Sequence, residues 1–116
     1  MLPAAHKLSS SADFRRTMRK GARAGTGTLV VHVAARTGTV LSGGPRFGLV
    51  VSKQVGNAVT RHAVSRKLRH VCLGDVDKLE RSHDVVIRAL PPAATATSAQ
   101  LARDFDSALG RALKKL

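Results

Sequence analysis

Tryptophan and tyrosine are missing from this sequence, and phenylalanine occurs only three times. A sheet that reads bases mainly by stacking them on its own aromatics is thereby excluded. Cysteine is nearly absent as well. Cys72 stands alone, so no internal disulfide forms, which fits a reducing compartment. One cysteine and five histidines (His6, His32, His62, His70, His83) without zinc spacing cannot complete a zinc site of the usual kind. No apolar run approaches the ~20 residues of a membrane span. The N-terminal stretch shows no apolar run of signal-peptide length, so a cytoplasmic location without membrane contact is expected.

Acids are also scarce, seven against twenty Lys and Arg. Between Phe14 and Gly74 there are twelve Lys and Arg and no acid; Asp13, Asp75, Asp77, Glu80, Asp84, Asp104 and Asp106 all lie outside that span. Phosphodiester hydrolysis by a protein needs carboxylates that hold metal ions, or a positioned acid–base pair. The acids here are scattered, and the run from Asp75 to Asp84 lacks the glycine and the spacing of a Ca²⁺ loop. Neither a nucleophile elbow nor a Walker lysine-serine pair is present. No residue is therefore nominated as catalytic or as a metal ligand.

What is present is an ordinary apolar fraction, 43%, in 116 residues, enough for one core and a single domain over 1–116. The net charge of +13 is not ordinary. Self-repulsion on that scale disfavours the compact state, and a polyanion relieves it. Nucleic acid is the usual such partner. An anionic membrane surface and a secreted cationic protein are the competing readings of charge alone.

The order of elements is read from periodicity. Ser10 or Ser11 caps a helix over about Ala12–Lys20, with Asp13 in its first turn and Gly21 as its stop. Phe14 and Met18 share a face of it, which core packing alone would also explain. Thr26–Ala35 reads as a strand, with Leu29, Val31 and Val33 on one face and Val30, His32 and Ala34 on the other. A glycine-rich connection, with room for a brief strand at Thr39–Leu41, leads to a second clear strand at Arg46–Ser52. A third strand covers His83–Leu90 and ends at Pro91-Pro92. The last helix starts near Ser98 with the stripe Leu101, Phe105, Ala108, Leu109, Ala112, Leu113, Leu116. The expected class is α+β, a single-domain α-β sandwich in the order α-β-β-(β)-α-β-α, the bracketed short fourth strand being optional.

The most informative stretch runs from Arg46 to Val71. After the strand at Arg46–Ser52, Gly56-Asn57 interrupts the pattern, and a helix capped by Asn57 follows to about Leu73. Val64, Leu68 and Val71 fall in one narrow arc, edged by Thr60 and Cys72. Arg61, His62, Ser65, Arg66, Arg69 and His70 sweep the opposite half. A charge run on a helix is usually only a solvated face. Solvated helices commonly intersperse acids as i,i+4 partners, and none is present here, which favours an anionic partner. Gly56 lets backbone approach closely, the helix N-terminus offers free N–H groups, and Lys53 stands on the approach. Arg61, Arg66 and Arg69 can make forked contacts to phosphates. Binding of this kind is steeply salt-dependent.

The run V-S-K-Q-V-G-N-A-V-T-R-H-A-V-S-R-K-L-R-H closely resembles the signature of the protein subunit of bacterial ribonuclease P, roughly V-S-K-K-x-G-x-A-V-x-R-N-R-x-K-R-x-L-R. The likeness extends over nearly the whole chain: Asp13-Phe14 on the first helix, Lys20-Gly21 at its end, the V-V-H strand, R-F-G-L-V-V-S-K, and V-V-I-R before proline. The resemblance implies that the catalyst is a large RNA using Mg²⁺ bound mainly by that RNA. The holoenzyme cuts precursor tRNA to release the 5′ leader and leaves a 5′-phosphate on the mature end. It further implies a left-handed βαβ crossover around the basic helix, whose site against the catalytic RNA would be Lys53, Gly56, Asn57, Arg61, His62, Arg66 and Arg69. A second surface, a cleft between the first helix and the sheet, would hold the single-stranded leader with Phe14, Met18 and His32, and Lys7 nearby. A monomer in a 1:1 complex with the RNA is expected.

Departures from the signature weaken parts of this. His62 and Ala63 replace Asn and Arg, and Ser65 stands where Lys is frequent, so the basic face has lost donors. Met18 and His32 stand where aromatics are common, leaving apolar contact at Met18 and imidazole stacking at His32. A structural, ribosomal-type RNA-binding protein is the alternative. A DNA-binding helix-turn-helix is disfavoured, because a strand and not a helix precedes the basic helix.

Overall fold

The computed structural model describes residues 2–36 and 44–116. Among them are three α-helices and a four-stranded sheet, in the order α1 (Ser11–Lys20), β1 (Ala22–Gly25), β2 (Leu29–Ala35), β3 (Arg46–Val50), α2 (Ala58–Gly74), β4 (His83–Ala89) and α3 (Ser98–Lys114). Short 3₁₀ turns at Ala4–His6, Val76–Lys78 and Pro91–Thr95 fill the connections. The extra strand is β1, which the sequence reading passed over. The optional strand at Thr39–Leu41 lies outside the described residues.

Strand order across the sheet is β1-β2-β4-β3. β2 runs antiparallel to β1 and to β4, with His32 opposite Arg23 on one side and Val86 on the other. β3 is parallel to β4, from Arg46 opposite Asp84 to Val50 opposite Arg88, so α2 forms the crossover between two parallel neighbours. Alternation along β2 holds as expected. Leu29, Val31 and Val33, with Val85, Ile87 and Phe47, are fully buried in the core. That core is shared with Val64 and Leu68 of α2 and with Leu101, Phe105 and Ala108 of α3. Leu116, at the end of the expected stripe, is instead 54% exposed. The other face carries His32, Ala34, Asp84, Val86 and Gly48, and α1 packs across its β2–β4 half.

The helix ends follow from local chemistry. The Ser10 hydroxyl accepts from the Asp13 N–H, and Asn57 Oδ1 accepts from the Thr60 N–H at 2.9 Å. Thr97 and Gln100 form a reciprocal capping box. Gly21 ends α1 for a different reason from the one expected. Its backbone is extended (φ −76°, ψ 161°), not left-handed. A Cβ there would run into the Thr17 carbonyl and come 2.6 Å from the Val33 carbonyl oxygen, so glycine is demanded by close packing where α1 turns into β1. Gly74 is still helical, and Asp75 is the cap.

Both sheet edges are partly occupied. At β3 the N-terminal segment adds a parallel bridge, with the Leu8 N–H donating to the Phe47 carbonyl at 2.9 Å. At β1 two cations of the C-terminal end bond alternate carbonyls. Arg111 donates to Gly25 O and Lys115 to Arg23 O, each at 2.7 Å. Charged groups on an edge blunt strand addition.

Candidate nucleic-acid interface

α2 divides as its periodicity requires. Val64, Leu68, Val71 and Cys72 are buried, while His62, Arg66 and His70 are exposed. The solvent face is narrower than the sequence suggests, because Arg61, Ser65 and Arg69 form a half-buried flank. Arg61 Nε is buried without a hydrogen-bond partner among the described residues, so part of this half-buried side chain is removed from solvent. Val59, 79% exposed, continues the open stripe toward the helix start. No acid lies on α2.

The turn into α2 is fixed at three points. Val55 is buried and its N–H donates to the Ser52 carbonyl at 3.1 Å, which anchors the loop and leaves Lys53 and Gln54 outside. Gly56 has φ +158°, and a Cβ there would lie 2.9 Å from Thr60 Cβ and Cγ2. Asn57 then caps the helix. Thus Gly56 and Asn57 shape the end of α2, and Lys53 stands beside it.

Lys53 also has a neighbour the sequence reading did not select. A hollow of about 370 Å³ at the ends of the parallel strands is lined by Ser52, Lys53, Gln54, Arg88, Ala89 and Leu90. Arg88 is exposed on the α1 face of the sheet. The alternation of Asp84, Val86 and Arg88 carried that signal, but it appears only once β4 is placed beside β3.

The second expected surface is partly assembled. Phe14 is half-buried, and its ring sits over Gly48, where any Cβ would collide with it. Met18 is half-buried one turn later. His32, by contrast, is 5% exposed, so its ring forms floor and not wall, and stacking on it is closed in this conformation. Both ring nitrogens lack partners. Burial, then the nearby positive charges of Arg23 and Arg88, push its pKa below the ordinary 6.5, which keeps the ring neutral at pH 7. Lys7 and Phe14 meet Ser65 and Arg69 of α2 in a groove of about 480 Å³ at the β3 edge. The two surfaces kept apart in the sequence reading therefore adjoin each other there.

The described residues offer no metal seat: no group of three or more His, Cys, Asp or Glu side chains converges among them. Several acids are otherwise engaged, Asp84 with arginines, Asp104 with the Thr28 hydroxyl at 2.5 Å, and Asp75 and Asp106 with Lys78. No described helix is long and apolar enough to cross a membrane.

The family model described as Ribonuclease P matches residues 2–113. A ribonuclease P protein component of Corynebacterium diphtheriae is 56% identical over 118 residues, covering 99% of each chain. One from Rhodococcus opacus is 54% identical, covering 96% of this chain and 91% of its own. The structure of the Staphylococcus aureus RNase P protein superposes with a TM-score of 0.80 at 26% identity, covering 92% of this chain and 94% of that one. The ribosomal-type alternative is thereby set aside. The chain belongs to the ribonuclease P protein family, as a subunit of the ribonucleoprotein endonuclease that matures the 5′ ends of tRNA, with the ribonuclease P RNA and precursor tRNA as its partners.

Proposed function

We propose that the exposed stripe of α2 docks the protein on the catalytic RNA, and that the cleft between α1 and the sheet holds the single-stranded 5′ leader. The observation that carries the first half is the division of α2. His62, Arg66 and His70 face solvent without an acid, Lys53 and Asn57 stand at the helix start, and Arg61 and Arg69 line one flank. Phosphates are met by forked guanidinium contacts and by the N–H groups around Gly56 and Asn57. In the cleft, Phe14 and Met18 supply apolar contact and Lys7 supplies charge for the leader backbone, while Arg88, exposed on the same face of the sheet, continues that charge toward Lys53. His32 contributes as a neutral floor.

In this reading the protein performs no bond cleavage. Mg²⁺ is held mainly by RNA phosphates, and the protein's part is to raise affinity for a substrate that still carries its leader. One protein joins one RNA, and the complex works in the cytoplasm. The test is a holoenzyme reconstituted from this chain and its RNA, assayed at low Mg²⁺. Precursor tRNA is expected to bind more tightly than mature tRNA, and the RNA alone is expected to lose that preference. Equal binding of both tRNAs by the holoenzyme would sink the leader cleft.

A further inference from the structure

Asp84 is an aspartate with no exposed surface in the middle of a sheet. It is surrounded by three arginines from three parts of the chain. Arg46 of β3 donates through Nε to Oδ1 at 2.8 Å and through its terminal nitrogen to Oδ2 at 2.7 Å. Arg16 of α1 donates to Oδ2 at 2.6 Å. Arg36, just past β2, has its Nε 3.5 Å from Oδ1. Arg46 reaches on to Asp13 of α1 at 3.2 Å.

This arrangement ties α1 to the sheet by two ion pairs of opposite polarity. Asp13 and Arg16 lie one turn apart on α1, and their partners Arg46 and Asp84 face each other across β3 and β4. A slide or roll of α1 by one residue would break both pairs, and exchanging the partners would bring like charges together. A buried ionic cluster contributes little net stability, because desolvation offsets the attraction. Its use is to select one geometry over others. Buried Thr17 and the tight turn at Gly21 hold the C-terminal end of α1 by packing, but along the rest of this face few polar contacts set its register. The His32 ring offers unpartnered nitrogens, Ala34 is small, and Phe14 rests on a bare glycine.

We infer that Asp84 is a positioning residue for the leader cleft: through Arg16 and Arg46 it sets where α1 lies on the sheet, and so where Phe14 and Met18 stand. This rests on the leader reading given above. Asp84 cannot touch RNA itself, since no part of it reaches the surface. An effect of its substitution on the leader must therefore pass through the arginines it holds, of which Arg16 belongs to α1 and Arg46 reaches α1 through Asp13.

The experiment uses the reconstituted holoenzyme with three variants, Asp84→Asn, Arg16→Gln and Arg16→Lys. It measures affinity for a precursor tRNA with a leader of several nucleotides, for mature tRNA, and for the RNA subunit. Asp84→Asn and Arg16→Gln are expected to weaken precursor binding by roughly 3- to 30-fold, the span of mutations that disturb a coupling network. Mature tRNA and RNA-subunit affinities should stay unchanged, and Arg16→Lys, which keeps the charge, should recover most of the loss. If Asp84→Asn does not fold, Arg16→Gln decides alone, because Asp84 then keeps Arg46. Unchanged precursor affinity in Arg16→Gln overturns the inference, as do equal losses for mature tRNA or the RNA subunit, which mark a merely structural role. A wild-type holoenzyme that does not distinguish precursor from mature tRNA defeats the leader reading itself and this inference with it.

Discussion

A methyl group added at Gly56 meets two obstacles at once. The backbone there has φ +158°, which L side chains rarely adopt, and the new Cβ would press on Thr60 at 2.9 Å. Thr60 cannot withdraw freely, because its N–H is held by the Asn57 cap. Gly56→Ala is therefore expected to destabilise the fold by about 1–3 kcal/mol and to shift the start of α2. Urea unfolding gives the first quantity and RNA affinity reports the second. A variant as stable as the parent would remove the argument for strain. At this scale the sequence was legible where a residue's own type dictates its place, as with the caps Ser10 and Asn57. It was not legible where the reason lies in a distant neighbour. Gly21 marks the end of α1 correctly, but its cause is the Val33 carbonyl across the sheet. Asp84 reads in sequence as one acid of a polar segment, and only the register against Arg46 makes it a hub.

α2 is the element whose two faces can be separated experimentally. Arg66 is exposed and touches nothing that the fold needs, so Arg66→Ala should lower the salt slope of RNA binding by about one unit with an unchanged unfolding midpoint. Arg61 is half-buried, with Nε sequestered, so Arg61→Ala should lower the slope and also reduce stability through lost packing. Binding titrations over a range of salt, paired with thermal unfolding, distinguish the two. An Arg66→Ala slope equal to the parent's would move the RNA face elsewhere. Helices of this kind are legible because a 3.6-residue period with one buried arc states their orientation. β1 is the contrary case. A-R-A-G contains no β-branched residue, and a single glycine, Gly21, separates it from the end of α1. It is a strand because β2 offers a partner and because Arg111 and Lys115 take up its outer carbonyls, neither of which local propensity records.

For the whole molecule, net charge sets two opposite responses to salt. The chain carries +13, concentrated in a segment without acids, and the ion pairs centred on Asp84 neutralise only part of it. Most of the remaining Lys and Arg face solvent, where repulsion acts within a Debye length of about 10 Å at 0.1 M. Raising salt from about 0.05 to 0.3 M shortens that length by more than half, so the melting temperature of the free protein should rise. The buried Asp84 cluster responds little, being shielded from ions by the fold. The same change should weaken association with RNA, because fewer counterions are released when the surrounding solution already holds many. Thermal unfolding of the protein alone and RNA titrations across one salt series measure both slopes, and they should have opposite signs. A melting temperature that falls with salt would mean that surface ion pairs outweigh the net repulsion. The excess charge would then cost the free fold nothing, and relief of self-repulsion could no longer be counted among the forces that drive this chain onto its RNA.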